Sequence, residues 1–493
     1  MKDYNRPKNI RRRSVSRDRK DGDADSKDDK TSSNKPNPFL VMVGDLITMV
    51  KNANVTYTRK ETTMMPGFSH TPDYFGQNFK HLQPGLPFVF GIQDPNLRYN
   101  LASENSLKQD PRQSNFYKNN FTQNFTGSVT IEPLKAFRIR LDINRSETRG
   151  MQSVFKYDGF EWMDQGLTET GTYSVTGLFI NTHFVKDIKS GESNYPNPVF
   201  QNFVDNRYTV AQRLQLADPR FSGTVIDTNT KFPLGYSKSS QDVIIGGFYA
   251  AYAGLDVGRS EIGAFPSIPL PNWNINYNGL SQLPILKDIF TNINIKHAYE
   301  GNYSIGNYTR NLKYDEEETP ELGKDLIPKY QIADVSISEG FFPLIGVNIT
   351  TTNNWTLGFE YKRSRVLKLF AASFNLTEMR QNDIQISAGY RVTGLNLPIK
   401  RRGKTLYLPN DFRFDLAVSI SDNVTIIRKI DVDVNRYTAG MTNIKITPSV
   451  TYQVNQKINL ALRYNRTIMD PKINTQFYTS LTDFGIELRY TFN

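Results

Sequence analysis

Ile444-Lys-Ile-Thr-Pro-Ser-Val-Thr-Tyr-Gln-Val454, followed by Asn455-Gln456 and then Lys457-Ile-Asn-Leu-Ala-Leu-Arg-Tyr464, is the stretch that decides the fold. Its even positions are Ile444, Ile446, Pro448, Val450, Tyr452 and Val454. Its odd positions are Lys445, Thr447, Ser449, Thr451 and Gln453. One face is apolar apart from a proline, and the other is wholly polar. That period of two is the mark of a strand with one dry face. After a two-residue turn, Ile458, Leu460, Leu462 and Tyr464 return on one face, with Lys457, Asn459, Ala461 and Arg463 on the other. Two alternating runs joined by a tight turn predict an antiparallel hairpin.

The same alternation recurs along the chain. It is seen at Val55/Tyr57, Phe125/Val129/Ile131, Phe137/Ile139/Leu141/Ile143 and Tyr173/Val175/Phe179. It continues at Ile293/Ile295/Tyr299/Tyr303/Ile305, Ile345/Val347/Ile349 and Trp355/Leu357/Phe359/Tyr361. Ile384/Ile386/Ala388/Tyr390/Val392 and Phe412/Phe414/Leu416/Val418/Ile420 complete the series. The pattern predicts about 14–16 strands of roughly ten residues. Links as short as Glu132–Lys135 and Thr351–Asn354 contrast with long ones at 63–118, 186–280 and 306–330. Short turns at one end and long loops at the other are the asymmetry of outer-membrane barrels. The fold class expected is therefore all-β: an antiparallel transmembrane β-barrel portion with long loops and a few short helices. Helices are expected at 199–216 and 243–255, with short helix-like stretches at Asp45–Met49 and Leu283–Ile289 before two similar strand openings.

Composition narrows the class. The 493 residues carry 60 basic and 49 acidic side chains, no cysteine and four histidines. Absence of cysteine removes a disulfide-stapled module, a thiol catalyst and a cysteine zinc site. A hydrophobic share of 38%, including 31 Phe and 26 Tyr, is too high for a disordered chain. No stretch approaches the roughly 18 consecutive apolar residues of a spanning helix. A barrel escapes that test, because only alternate residues of its strands face lipid. Residues 1–38 are polar and basic and predict a solvated loop or tail, with no apolar secretory core. Interleaved Asp18, Asp21, Asp23, Asp25, Asp28 and Asp29 would repel phosphate, so no nucleic-acid partner is expected.

The dry face can meet a protein core or a bilayer. Charges on the polar face, such as Glu487 and Arg489, suit a water-filled lumen, and aromatics near strand ends suit interfacial girdles. The lipid-facing set is read as Ile444, Ile446, Val450, Tyr452, Ile458, Leu460 and Leu462. The lumen-facing set is Lys445, Thr447, Thr451, Arg463, Glu487 and Arg489. Phe484, Ile486, Leu488, Tyr490 and Phe492 form a closing strand resembling the assembly signal of bacterial outer-membrane proteins, although Asn493 follows the aromatic. The long segments 63–118 and 186–280 are candidates for lumen filling, gating or partner docking.

Signs of covalent chemistry are sparse. Gly258-Arg-Ser260-Glu-Ile-Gly263 is one residue off a nucleophile elbow and lacks its strand–turn–helix setting. His70 and His81 share a loop, and His183 and His297 read as ordinary strand positions. Asp315-Glu316-Glu317-Glu318 reads as a solvated loop tip. The chain is expected to be no enzyme and to hold no metal or cofactor. The alternatives are a self-contained 14–16-stranded porin or nutrient channel, a soluble β-rich binding protein such as a lectin, and last an enzyme.

Several motifs in order resemble one family. They are Pro269-Leu-Pro-Asn-Trp273, Gly279-Leu-Ser-Gln-Leu-Pro284 and His297-Ala-Tyr-Glu-Gly-Asn-Tyr303. Next come Ile327-Pro-Lys-Tyr330, Val335-Ser-Ile-Ser-Glu339 and Phe342-Pro-Leu-Ile-Gly346. Glu360-Tyr-Lys-Arg-Ser-Arg365, Leu376-Thr-Glu-Met-Arg380, Leu397-Pro-Ile-Lys400 and Thr425-Ile-Ile-Arg-Lys-Ile-Asp431 follow. From about residue 39 to the end, the chain resembles the C-terminal part of the SprA/Sov family, outer-membrane translocons of the Bacteroidetes type 9 secretion system that are also linked to gliding motility. The resemblance implies that residues 39–493 are somewhat under half of a barrel of about 36 strands, and that Met1 lies in a loop of a longer protein. It implies residence in the bacterial outer membrane and export of folded cargo proteins carrying a C-terminal sorting domain. The implied partners are a PorV-type shuttle protein, a plug protein and an energising periplasmic/inner-membrane complex.

Overall fold

The protein is described here by a computed structural model covering residues 49–190, 194–314, 318–401, 404–432, 434–454, 457–473 and 476–492. The 1–38 segment, Asp45–Thr48 of the first helix-like stretch, the Asn455-Gln456 turn, Asp315–Glu317 and Asn493 lie outside the described residues.

One antiparallel sheet of 14 strands dominates. Its strands are β1 (Val50–Met64), β2 (Tyr117–Leu134), β3 (Phe137–Tyr157), β4 (Trp162–Thr176), β5 (Asn272–Tyr277), β6 (Phe290–Arg310) and β7 (Tyr330–Ile332). The remainder are β8 (Val335–Thr351), β9 (Trp355–Phe370), β10 (Asn375–Arg401), β11 (Lys404–Lys429), β12 (Val434–Gln453), β13 (Ile458–Pro471) and β14 (Thr479–Tyr490). Apart from the two insertions at β5 and β7, neighbours in sequence are neighbours in space. Among the described residues, five α-helices accompany the sheet: α1 (Leu86–Val89), α2 (Leu97–Ser103), α3 (Ile180–His183), α4 (Pro198–Ala217) and α5 (Gln241–Tyr252). Among the described residues, no helix is long and apolar enough to cross a membrane. The path of the sheet ends at β1 and β14, which pair with β2 and β13 respectively and not with each other.

Strand length departs from expectation. The expected ten residues are exceeded throughout the main path, and β10 and β11 reach 27 and 26. About ten residues suffice to cross a bilayer as a strand, so the sheet continues well beyond that thickness. Several turn positions take a left-handed residue, among them Phe374 at the β9–β10 turn with φ 52°. Ala136 at the β2–β3 turn has φ 66° and Asn354 at the β8–β9 turn has φ 63°. Asparagine tolerates that region better than alanine does.

The long segment 186–280 is not a loop at a strand end. β4 descends against β3 as far as Val175, opposite Arg145. β5 takes up the same side of β3 from Asn272, opposite Asp142, and runs down to Tyr277. Both also pair with β6. One strand position is thus filled by two segments, and residues 177–271 are inserted at mid-height between them. The exit is tight: the Gly177 N–H donates to Gly301 O at 3.0 Å. A Cβ on Gly301 would stand 2.2 Å from Gly177 O, closer than any real contact. The helix expected at 199–216 is α4, and that expected at 243–255 begins and ends slightly earlier, as α5. The helix-like stretch Leu283–Ile289 is a run of turns after a 3-10 turn at Leu280–Gln282, because Pro284 interrupts it. Phe179 lies beyond the end of β4, and His183 lies in α3 rather than in a strand.

Gly301→Ala should loosen the exit of the insertion and expose residues 177–271 to protease. Gly485→Ala, with open space at its Cβ position, should leave the cleavage pattern unchanged. Equal cleavage of the two variants would contradict the close approach.

Candidate functional site

The apolar alternation extends across strands because the registers align it. Ile293 faces Ile349, which faces Leu357, then Ala388, then Leu416, then Pro448. One row along run Trp355, Tyr390, Phe414, Val450, Leu462 and Ile486. A third row runs Phe412, Tyr452, Leu460 and Leu488. Neighbouring side chains in such rows touch across strands and stabilise the sheet together. Ile444, Ile446, Ile458 and Phe484 belong to the same face. Along β11 this face spans eight residue steps from Phe412 to Ile420, about 27 Å.

Beyond Ile293, which is buried, this belt stays open to its surroundings among the described residues. Phe359 is 39% exposed, Ile386 48%, Ile486 65% and Leu488 68%. So large a continuous apolar surface demands a partner medium. Aromatics mark its margins. Trp355 and Tyr390 stack at 4.6 Å at the short-turn margin, and Tyr490 meets Phe492 at 4.6 Å close by. At the other margin Trp273 stacks on Tyr299 at 4.8 Å, and Phe341 joins Tyr299, His297 and Phe184 at 5.2, 5.6 and 5.5 Å. One cation interrupts the face: Arg466 stands opposite Ile446. The alternation in the sequence gives no warning of it, because β13 changes character only there.

The opposite face is polar and paired. Arg413 meets Asp415 at 2.7 Å, Arg391 meets Asp411 at 2.9 Å, and Arg138 meets Glu132 at 2.9 Å. Arg463 meets Glu487 at 3.0 Å, and Arg489 meets the same carboxylate at 3.3 Å. Lys445, Thr447 and Thr451 lie on this face, opposite Ser419, Ala417 and Arg413 of β11. Exposed pairs of this kind add little stability. Their presence fits contact with water.

Beyond the belt, the same apolar-parity face is covered by protein. β9 runs without a bulge from Trp355 to Phe370, so Leu367 and Leu369 share a face with Trp355 and Leu357. Leu367 and Leu369 are wholly buried with Val199, Phe203, Ile244 and Phe248 of the helical insertion. The segment 63–118 behaves alike: Leu97 and Leu101 of α2 pack on Tyr117 and Phe155 of the sheet. Both segments pack on the face that carries the apolar alternation. Their helices cap the face that carries the belt, because the apolar alternation of the strands continues past it and must be buried in water.

Two buried ionic clusters pin this cap. Arg428 is fully buried and donates to Asp187 at 2.6 Å, Glu378 at 2.9 Å and the Tyr195 carbonyl at 2.7 Å. Arg380 pairs with both Asp187 and Glu378. Nearby, Arg365 donates to Glu339 at 2.8 Å and to Thr182 Oγ1 at 2.7 Å, while His183 Nδ1 lies 3.3 Å from Glu339. Asp187 and Thr182 come from the insertion, and Glu378 and Glu339 from the sheet. A third cluster lies inside the cap, where Asp218 accepts from Arg220 at 2.6 Å and from the Tyr236 hydroxyl at 2.8 Å. Burial acts to raise the Asp218 carboxyl, but the Arg220 and Tyr236 hydrogen bonds hold it below the usual carboxylate range.

The remaining sequence candidates disperse. His70 and His81 stack at 4.0 Å, with His70 on Ser106 and His81 on Asn78. His297 bonds the Leu344 carbonyl at 2.7 Å. Among the described residues, no group of three or more His, Asp or Glu is placed to hold a metal ion. Near Ser260, Glu261 accepts from Ser267 at 2.8 Å.

Arg428→Ala removes the more buried of the two guanidiniums that pair with Asp187 and Glu378 and leaves Arg380 alone between them. Leaving a buried charge wholly unpaired costs about 3–5 kcal/mol; with Arg380 remaining the loss is smaller, and the insertion should become more protease-sensitive while the belt strands stay protected. The Asp218 contribution is present above the ordinary carboxylate pKa and is lost as pH falls through its lower folded value. Cap protection should therefore weaken in acid, and Asp218→Asn should flatten that dependence.

No family model matches this sequence, and no curated protein matches it. Among solved structures, the chain is similar to the RagAB peptide transporter at 9% identity and a TM-score of 0.23, over 74% of this chain and 37% of that one. It is also similar to OmpT (in-vitro folded), an outer membrane protein of Vibrio cholerae in trimer form, at 7% identity and a TM-score of 0.19, over 89% of this chain and 99% of that one. This chain thus spans little more than a third of the transporter chain it is set beside. Neither likeness bears on the architecture, which follows from the registers and the exposure pattern: an all-β, antiparallel sheet of 14 strands with a few short helices.

Proposed function

We propose that this chain is a section of the wall of a large outer-membrane pore. The observation that carries the reading is the belt: a register-aligned apolar face, exposed, bounded by aromatics and backed by a face of paired charges. A bilayer covers such a face without further protein, and an aqueous lumen accommodates the charges behind it. Among the described residues the sheet's path ends at β1, beside β2, and at β14, beside β13, which adds a constraint. A sheet edge within hydrocarbon leaves backbone donors and acceptors unsatisfied at several kcal/mol each. Each edge needs a partner strand, and a barrel larger than 14 strands supplies one to both.

The finer reading rests on the SprA/Sov resemblance. On it, the pore exports folded proteins with a C-terminal sorting domain, with a shuttle protein, a plug and an energising complex as partners. The helical cap on the belt's face is then a surface for partners that approach from the side of the wall, not a lumen plug. Doubling the strand count roughly doubles the diameter, enough for a folded domain.

Ile446→Arg in the full-length protein should block assembly, since Arg on the lipid face at mid-bilayer costs about 2–4 kcal/mol. Lys445→Gln should assemble normally, and equal tolerance of both would sink the face assignment. An immunoblot of fractionated cells, using antibody against residues 1–35, separates the size classes. A very large band in the outer-membrane fraction supports the translocon. A band near 56 kDa there supports the porin, and a soluble band overturns the membrane reading.

A further inference from the structure

A cleft of about 320 Å³ opens on the belt's face at the long-loop end of β1–β4. Its wall carries Arg59, Arg149 and Arg310, with Glu61, Glu169 and Asn119 among them. Parity fixes its position. Arg59 and Glu61 follow Val55 and Tyr57 on one face of β1, and Tyr57 pairs with Phe125 of β2. Val55 is 67% exposed and Tyr57 55%, so apolar surface runs up to the foot of the cleft. Arg59 stands two residues above Tyr57, about 7 Å along the strand.

We propose that this cleft binds the phosphorylated sugar headgroup of an outer-leaflet glycolipid whose acyl chains lie on the belt. The inference rests on the membrane reading above. Three features select the ligand. The guanidiniums of Arg59 and Arg149 flank the Phe121 ring at 5.5 and 4.6 Å from its centroid, and Arg310 faces them across the cleft. Arginine forks match phosphate geometry. Each already has a carboxylate partner: Arg59 pairs with Glu61, Arg149 meets Glu147 at 3.1 Å and Arg310 meets Glu169 at 3.4 Å, while the guanidinium side of each pair stays substantially exposed. The open side of each guanidinium is left for an arriving phosphate to engage.

The second feature is an acceptor without a donor. Asn119 is only 9% exposed, and its Nδ2 donates to the Tyr117 hydroxyl at 2.9 Å. Its Oδ1 is buried and has no partner. A buried acceptor left open asks for a donor, and a sugar hydroxyl or amide supplies one where a bare phosphate does not. Third, Glu61 accepts from the Gln93 backbone N–H at 3.0 Å with one oxygen and from Arg59 with the other, so it holds the Arg59 guanidinium in place at the cleft wall. Anion-binding and hydroxyl-binding groups in one cleft, with apolar surface directly below, match a phosphorylated glycolipid in each part.

The test uses the full-length protein, purified in detergent and delipidated, with native mass spectrometry as the readout. The probes are lipid A, soluble glucosamine 1-phosphate and phosphatidylethanolamine. Lipid A should bind, and Arg149→Gln with Arg310→Gln should lower its occupancy at least tenfold without changing phosphatidylethanolamine binding. Asn119→Ala should lower it by a smaller factor and leave the heat-shifted mobility of the folded protein unchanged. Undiminished lipid A binding by the double variant would overturn the proposal. Glucosamine 1-phosphate binding as tightly as lipid A would overturn the lipid source and assign the cleft to a free sugar phosphate. A protein recovered only in the soluble fraction would defeat the membrane reading instead, and the soluble probe would still report on the cleft.

Discussion

The structure depends on the parity of its strands. Successive side chains alternate between faces, and an unbroken strand keeps each residue type on its side for its whole length. β9 and β10 hold that parity over 16 paired positions. The apolar face therefore stays one face from the Trp355 margin to Leu369, whatever covers it at each level. Where nothing of the protein covers it, the belt results. Where water would otherwise meet it, helices and loops are laid over it.

That division explains the helical insertion. Apolar side chains on Leu367, Leu369, Ile337 and Tyr303 cannot stay open to water without loss, since each buried Leu or Ile contributes about 1.5–3 kcal/mol relative to exposure. The chain leaves the sheet at Gly177, in the middle of a strand position, and returns at Asn272 to complete it. The exit coincides with register shifts in β6 between Lys296 and Tyr299 and in β8 between Phe341 and Ile345. Bulges add twist and redirect side chains locally. Here they accompany the aromatic cluster of Trp273, Tyr299 and Phe341, which separates belt from cap.

The ionic clusters under the cap serve specificity more than stability. Buried ion pairs often contribute little net energy, because desolvation offsets attraction. Arg428, however, ties Asp187 and the Tyr195 carbonyl of the insertion to Glu378 of β10, and Arg365 ties Thr182 to Glu339 of β8. Apolar packing alone would let the helices slide. Directed hydrogen bonds from two guanidiniums fix one placement.

Much of this was legible in the sequence. The alternation at 444–464 determined an antiparallel sheet and both of its faces, because a period of two has only one structural reading when it recurs across so many strands. Both long helices were legible as well. What the sequence did not disclose is non-local. The division of one strand between 162–176 and 272–277 depends on pairing with β3 and β6, and Asn272–Tyr277 is too short to announce itself. Glu339, Arg365, Glu378 and Arg428 look like ordinary strand charges until the registers bring them under the cap. The cleft at Arg59, Arg149 and Arg310 joins residues from three strands that no spacing relates. Local alternation determined which side chains are dry; only the tertiary structure decided which are covered by protein and which are left to another medium.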